Sequence, residues 1–234
     1  MVSNRINASS AVCIVIGCLV AGAAAAEASY TYVEAEYVNI DTDISARIED
    51  ANTDASFNTD NDGGFRVAGA WELYRNWHVF GDYSRGKNDA DFSGTVLGAP
   101  VRASGDFDVV RWRLGAGYAY SVNEVFDVYG RLSYDYIEFD SFSLSGISQS
   151  FDTDDNGLGA EAGVRFNPFE PVELFAYGRY TAVGDVDLDS DNQFDDDTLF
   201  GFGARYSITD RIGVQAGYEI GKIDTWAVGA RYSF

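Results

Sequence analysis

The chain has 234 residues and a formal net charge of −21, from 37 Asp and Glu against 16 Lys and Arg. That length sets one domain as the prior, and the charge argues against nucleic acid as a partner while leaving divalent cations or a basic partner open. Aromatics at 15%, 25 glycines and only three prolines describe a Tyr-rich and Gly-rich sheet rather than a disordered acidic chain.

Residues 1–26 stand apart. Arg5 is the only charge before Glu27, and the apolar run from Ala11 closes on Ala24-Ala25-Ala26, the pattern of a secretory signal with a small-residue cleavage site. The run is shorter than the roughly 20 residues a spanning helix needs. The expected division is a signal peptide, 1–26, and a mature domain, 27–234. Cys13 and Cys18 both lie in the signal, so the mature domain would form no disulfide. Val15-Ile16-Gly17-Cys18 is similar to a lipoprotein box, but the apolar run continues past Cys18, which favours ordinary cleavage before Glu27.

From Tyr30 onward, apolar and polar residues alternate with a period of two. Tyr30 to Asn39 sets Glu34 and Glu36 against Val33, Ala35 and Tyr37. A polar segment, Ile40 to Gly63, precedes Gly64 to Leu73, where Arg66 and Glu72 oppose Phe65, Val67 and Trp71. After a tight turn at Tyr74-Arg75-Asn76, Trp77 to Gly86 places Asp82 and His78 opposite Trp77, Val79 and Tyr83. Lys87 to Asp106 reads as a loop whose Phe92 to Val96 and Val101 to Ala103 could extend the flanking strands.

Phe107 to Tyr120 carries an apolar stripe, Val110 to Tyr120, against Arg111 and Arg113; Glu124 to Tyr136 opposes Asp127, Arg131 and Asp135 to Phe126, Val128 and Leu132. Beyond it, Phe142 to Phe151 is expected to rise as a hairpin, and Gly157 to Phe166 returns with Glu161 and Arg165 on its small-residue face. Asn167 to Pro171 is a turn, since two prolines do not suit a central strand. Val172 to Thr181 carries Glu173 and Arg179; an acidic loop, Gly184 to Thr198, leads to Leu199 to Ile208 with Arg205, Arg211 to Gly221 with Glu219, and Asp224 to Phe234 with Arg231.

The expectation is all-β: a transmembrane antiparallel up-and-down β-barrel of ten strands, with both termini and the short turns periplasmic and the long connections outside. A soluble sandwich would set solvent-type polar residues on its outer face, whereas here the polar face is built from Gly, Ala and opposite charges. Outward rings beside short turns, Trp71, Trp77, Tyr118, Tyr120, Phe126, Phe166, Tyr206, Tyr232 and Phe234, are expected to form an interfacial belt.

Tyr30 to Glu34, Trp77 to Arg85, Arg111 to Tyr118 and Glu161 to Arg165 resemble the small outer-membrane β-barrel proteins of Gram-negative bacteria, in the broad OmpA-like and porin-like superfamily. The resemblance implies an integral place in the cell outer membrane and no enzymatic role. Its best-known relatives have eight strands, which keeps eight as the alternative to ten.

Eight arginines (66, 111, 113, 131, 165, 179, 205 and 231) and nine acids (Glu34, Glu36, Glu72, Asp82, Asp127, Asp135, Glu161, Glu173 and Glu219) share the inward parity. Such near-balance in a narrow lumen predicts mutual pairing, with a solute-selecting constriction as the alternative. Asp185, Asp187, Asp189 and Asp191 alternate in the acidic loop, but without the glycine and closing Glu of a calcium loop they predict at most weak Ca²⁺ or Mg²⁺ binding. No other cofactor is expected.

The single histidine, His78, lies beside a short turn with no nucleophile near it in sequence, which argues against catalysis. Expected partners are membrane lipid and lipopolysaccharide, with the barrel-assembly machinery reading the last strand and its terminal Phe234. The sequence favours a structural or surface-interaction role through the acidic loops, with a narrow passive channel as the alternative.

Overall fold

The computed structural model describes residues 30–41, 45–50, 53–96, 99–144, 147–183 and 197–234. The expected signal segment and the run holding Asp185, Asp187, Asp189 and Asp191 lie outside the described residues.

Strands follow one another as β1 (Tyr32–Asp41), β2 (Ser45–Asp50), β3 (Thr53–Tyr74), β4 (Trp77–Val96), β5 (Ala99–Asn123), β6 (Phe126–Leu144), β7 (Ile147–Phe169), β8 (Val172–Thr181), β9 (Asp197–Ser207), β10 (Ile212–Ile220) and β11 (Asp224–Ser233). All pairings are antiparallel between neighbours, and β1 bonds to both β11 and β3, which closes the sheet. β1 and β2 run in the same sense along β3, one facing its lower half and the other its upper half. They are two parts of one wall position, so the barrel has ten strands.

Where β1 leaves β3, the ladder slips at Asn61/Gly63, and Gly63 adopts φ +85, which favours glycine. Asn61 fills the slip: its side chain bonds the Ile40 carbonyl, Asn39 and Asn88. At the other end of β3, Arg75 and Asn76 both have positive φ, 42 and 74, as a two-residue primed turn requires.

Alternation decides what each face buries. In β1, Tyr32, Glu34, Glu36, Val38 and Ile40 are buried, while Val33, Ala35 and Tyr37 are exposed. Carboxylates lie inside and apolar side chains outside, the reverse of a soluble sheet. The same inversion recurs around the wall: His78, Asp127, Asp135, Glu161, Arg165, Arg179, Arg205, Gln215, Glu219 and Arg231 are buried, while Val79, Leu114, Leu132, Leu158, Phe200, Val214 and Val228 are exposed.

The outer face is banded along the barrel axis. Trp71, Trp77, Tyr118, Tyr120, Tyr206, Tyr232 and Phe234 are exposed beside the short turns, and Phe126 and Phe166 are half-buried. Toward the hairpin end the apolar band stops abruptly. Tyr83 gives way to Arg85 and Lys87 on β4, Val110 to Asp108 and Asp106 on β5, and Tyr136 to Glu138 and Asp140 on β6. Arg85 pairs with Asp108 at 2.5 Å and Lys87 with Asp106 at 3.2 Å across the β4–β5 ladder. The hydrogen bond from Lys87 to Asp106 raises the ammonium pKa above its ordinary value.

The wall is also uneven in height. β3 to β7 run 19 to 25 residues, while β1 and β8 to β11 run 9 to 11. Since about 9–11 residues cross a bilayer, β3 to β7 continue well beyond the apolar band.

Two sequence expectations change. Most of Ile40 to Gly63, read as a polar segment, is paired sheet, and so is most of Lys87 to Asp106, where the pairing extends beyond the expected Phe92 to Val96 and Val101 to Ala103. Above the apolar band both faces can be polar, so the hydrophobic period disappears while the hydrogen-bond ladder persists. The turn expected over Asn167 to Pro171 narrows to Glu170-Pro171: β7 runs on to Phe169, with Pro168 in a register irregularity between Phe166 and Phe169.

Candidate functional site in the lumen

Inward side chains form three layers. At the turn end, rings and cations stack. Tyr30, Ala119 and Tyr129 form one buried cluster and Tyr32, Ala70 and Phe80 another. Arg165 lies 4.1 Å from the Tyr30 ring centroid and Arg231 3.5 Å from that of Tyr32. His78 stacks on Tyr30 at 4.8 Å and accepts a hydrogen bond from Arg131 Nε at 3.1 Å, so its Nε2 carries no proton.

The middle layer is a continuous string of charge. Arg231 and Arg205 both donate to Glu34, the second at 3.4 Å. Arg205 also donates to Glu173 at 2.5 Å and to Gln215 at 2.9 Å, and Gln215 donates to Glu36 at 2.7 Å. Glu36 accepts from Arg66 at 3.1 Å, and Arg66 lies 3.8 Å from Asp82. Arg113 grips Asp82 through Nε at 2.8 Å and Nη2 at 2.7 Å, and reaches Glu161 at 3.1 Å; Arg131 reaches Glu161 at 3.3 Å. A second, shorter group joins Arg179 and Tyr177 to Glu219 at 3.0 and 2.8 Å, with Arg111 at 3.8 Å from Glu219 and 3.2 Å from Thr225. Charges this deep are tolerated because each is paired and hydrogen-bonded.

The hairpin-end layer is apolar. Val38, Ile40, Ala90, Phe107, Val109, Ile137 and Val183 form one buried cluster, with Phe139, Ile223 and Ala227 against it. A cavity of about 180 Å³ runs along the lumen, lined by Tyr129 and Arg165 of the turn-end layer, by the ionic string, and by Val38, Ile137 and Val183 of the apolar layer.

Glycines thin the wall where large rings turn inward. A Cβ at Gly201 would strike the Tyr177 ring, and one at Gly163 would strike that of Tyr129. Small inward residues thus make room for bulky ones.

The structure places the sequence-predicted charges as follows. Glu34, Glu36, Arg66, Asp82, Arg113, Arg131, Glu161, Glu173, Arg205 and Arg231 fall in the long string, and Arg111, Arg179 and Glu219 in the short one. Asp127 faces Arg165 across the β6–β7 ladder, and Asp135 is buried opposite Arg113. Glu72 keeps the inward parity but is exposed at the turn end, where it accepts from the Asn76 backbone N–H at 3.2 Å. Among the described residues no group of His, Cys, Asp and Glu could hold a metal ion, and the aspartates proposed for calcium lie outside them.

Parity alone did not reveal Gln215 as the bridge between Arg205 and Glu36, nor the role of Tyr30, Tyr32 and His78 as platforms for the arginines. Both depend on which strands face each other across the barrel, a relation that adjacent residues do not encode.

A closed antiparallel sheet, charged within and banded by exposed apolar residues and rings without, defines an integral β-barrel of the outer membrane. The chain belongs to the outer membrane protein β-barrel domain family, which matches residues 11–174. Among curated proteins no sequence matches. Similar solved structures include the translocator domain of the autotransporter NalP from Neisseria meningitidis, at 16% identity over 89% of this chain and 90% of that one, with a TM-score of 0.49. The outer membrane protein OprG from Pseudomonas aeruginosa is similar at 16% identity over 91% and 99%, with a TM-score of 0.48. The attachment invasion locus protein Ail of Yersinia pestis shares 20% identity over 88% and 100%, with a TM-score of 0.39.

Proposed function

We propose that this outer-membrane barrel is a closed scaffold whose work is done at its surface, by the tall acidic wall of β3 to β7, and that it has no catalytic role. The observation that carries the reading is the unbroken string from Arg231 to Arg131, which ties β11, β1, β9, β10, β3, β4, β5, β7 and β6 together across the lumen. Ten strands enclose an interior only slightly wider than the eight-stranded size that side chains can fill. The short turns and both termini then face the periplasm, as in other barrels of this kind.

Asp41, Asp60, Asp62, Asp91, Asp106 and Asp154 are exposed at the hairpin end. They suit a basic partner, or lipopolysaccharide bridged by Ca²⁺ or Mg²⁺. Phe234, exposed at the end of the last strand, is the feature offered to the barrel-assembly machinery.

Single-channel recording in planar bilayers tests the closed lumen. The expected result is silence, with Arg113→Ala or Arg131→Ala admitting current. A stable wild-type conductance proportional to salt would replace the scaffold with a passive channel. That second reading draws support from the cavity, and its cationic lining would make such a channel anion-selective.

A further inference from the structure

We propose that the hairpin-end half of the lumen is a binding site for a small monocarboxylate with an apolar body about the size of one aromatic ring. The cavity that opens into it from the ionic string measures about 180 Å³ in all, somewhat larger than an engineered apolar cavity of about 150 Å³ that takes up benzene. Its lining runs from the ionic string to Lys222 and Ile223 in the β10–β11 turn, so it reaches the rim on the low side of the wall.

The site's charge is opposite to that of the protein. Nine cationic side chains and six carboxylates line the cavity, within a chain of net charge −21. Most of those cations are engaged, but Arg111 is held loosely. Its nearest carboxylate, on Glu219, is 3.8 Å away and already accepts from Arg179 at 3.0 Å and Tyr177 at 2.8 Å. The Arg111 side chain is 20% exposed, against 10% for Arg113 and 8% for Arg131. Its Nη2 donates to Thr225 Oγ1 at 3.2 Å, and among the described residues it makes no hydrogen bond to a carboxylate, so a ligand carboxylate would meet the group that grips carboxylates by two parallel hydrogen bonds.

Unsatisfied polar atoms point the same way. Thr181 and Arg179 line this cavity, and Thr181 Oγ1 and Arg179 Nε are buried with no hydrogen-bond partner among the described residues. Polar atoms left so are costly unless something else occupies the space. The wall also carries apolar side chains, Val38, Ile137, Phe139, Val183, Leu199 and Ile223. A carboxylate on Arg111 would set its ring against these side chains, and Lys222 at the rim would draw anions in.

The site does not depend on whether the barrel conducts. The test uses the folded full barrel in zwitterionic micelles and three probes, benzoate, benzyl alcohol and acetate, followed by calorimetry. Benzoate is expected to bind saturably at one site, with benzyl alcohol and acetate at least tenfold weaker, because each lacks one half of the recognition. Arg111→Gln should weaken benzoate at least tenfold, and Ile137→Trp, which fills the cavity, should abolish it; gel mobility with and without heating checks that both variants fold. Equal affinity for benzoate and benzyl alcohol would mean partition into the micelle and would overturn the site. So would unchanged benzoate affinity in Arg111→Gln, or no saturable benzoate binding up to millimolar concentration. The comparison of probes on the unaltered protein decides the matter even if a variant does not fold.

Discussion

Glu161 lies between Arg113 and Arg131, at 3.1 and 3.3 Å, and is the only carboxylate among the described residues within salt-bridge distance of Arg131. Removing it leaves two buried guanidiniums short of a partner, a change that typically costs about 3–5 kcal/mol. Glu161→Ala should lower the unfolding free energy of the lipid-embedded barrel, from urea titrations followed by tryptophan fluorescence, by that amount, and Glu161→Gln by less, because the amide oxygen still accepts. A loss below about 1 kcal/mol would show that the lumen charges are solvated rather than mutually paired. At this scale the sequence told which residues face inward, since β-strand parity is strict, and Glu34, Arg66, Glu161 and Arg231 could be found that way. It did not tell which would meet. Glu72 has the right parity, yet its height at the turn end leaves it in solvent.

On β5 and β6, Leu114 and Leu132 sit midway along the apolar band and are 64% and 71% exposed, so they mark the middle of the lipid. Arg or Lys on the lipid face at mid-depth costs about 2–4 kcal/mol and almost nothing near the interface. Leu132→Arg should therefore destabilise refolding into lipid vesicles by that amount, whereas Thr95→Arg, exposed beyond the band on the outward face of β4, should be neutral within about 0.5 kcal/mol. Equal effects at the two positions would misplace the bilayer boundary drawn between Tyr83 and Arg85. Each membrane-crossing strand was legible in sequence, because lipid outside and a packed lumen inside impose opposite demands on alternate residues. The upper part of β3 was not, and those of β4 and β5 only over Phe92 to Val96 and Val101 to Ala103. Water on the outer face and polar groups within, such as Asn61 and Asn88, remove the contrast on which the period depends.

For the molecule as a whole, charge is sorted by height: a nearly neutral string in the lumen, a cationic excess around the cavity and exposed aspartates on the tall wall. Like charges crowded there, with the alternating aspartates 185 to 191 nearby in sequence, predict weak divalent-ion binding. Calorimetry on the refolded barrel should register Ca²⁺ binding in the millimolar range; no heat at that concentration would leave the acids as a purely solvated surface. The fold class was readable because composition, signal and alternation agree, while the ligand chemistry of the lumen depends on cross-barrel distances that a linear pattern does not contain.

The β1–β11 seam carries one more consequence. Tyr32 pairs with Ser233 and Asp41 with Asp224, so the first strand finds its final partner only when the last has been made. Glu34 stands on that seam and takes both Arg231 and Arg205 from the far end of the chain. Until the ring shuts, this carboxylate has neither guanidinium, and a half-formed sheet inserted in lipid would carry a bare charge on its inner surface. Closure and neutralisation are therefore one event in time: the pairing of the two end strands is what removes the bare charge from the inner surface.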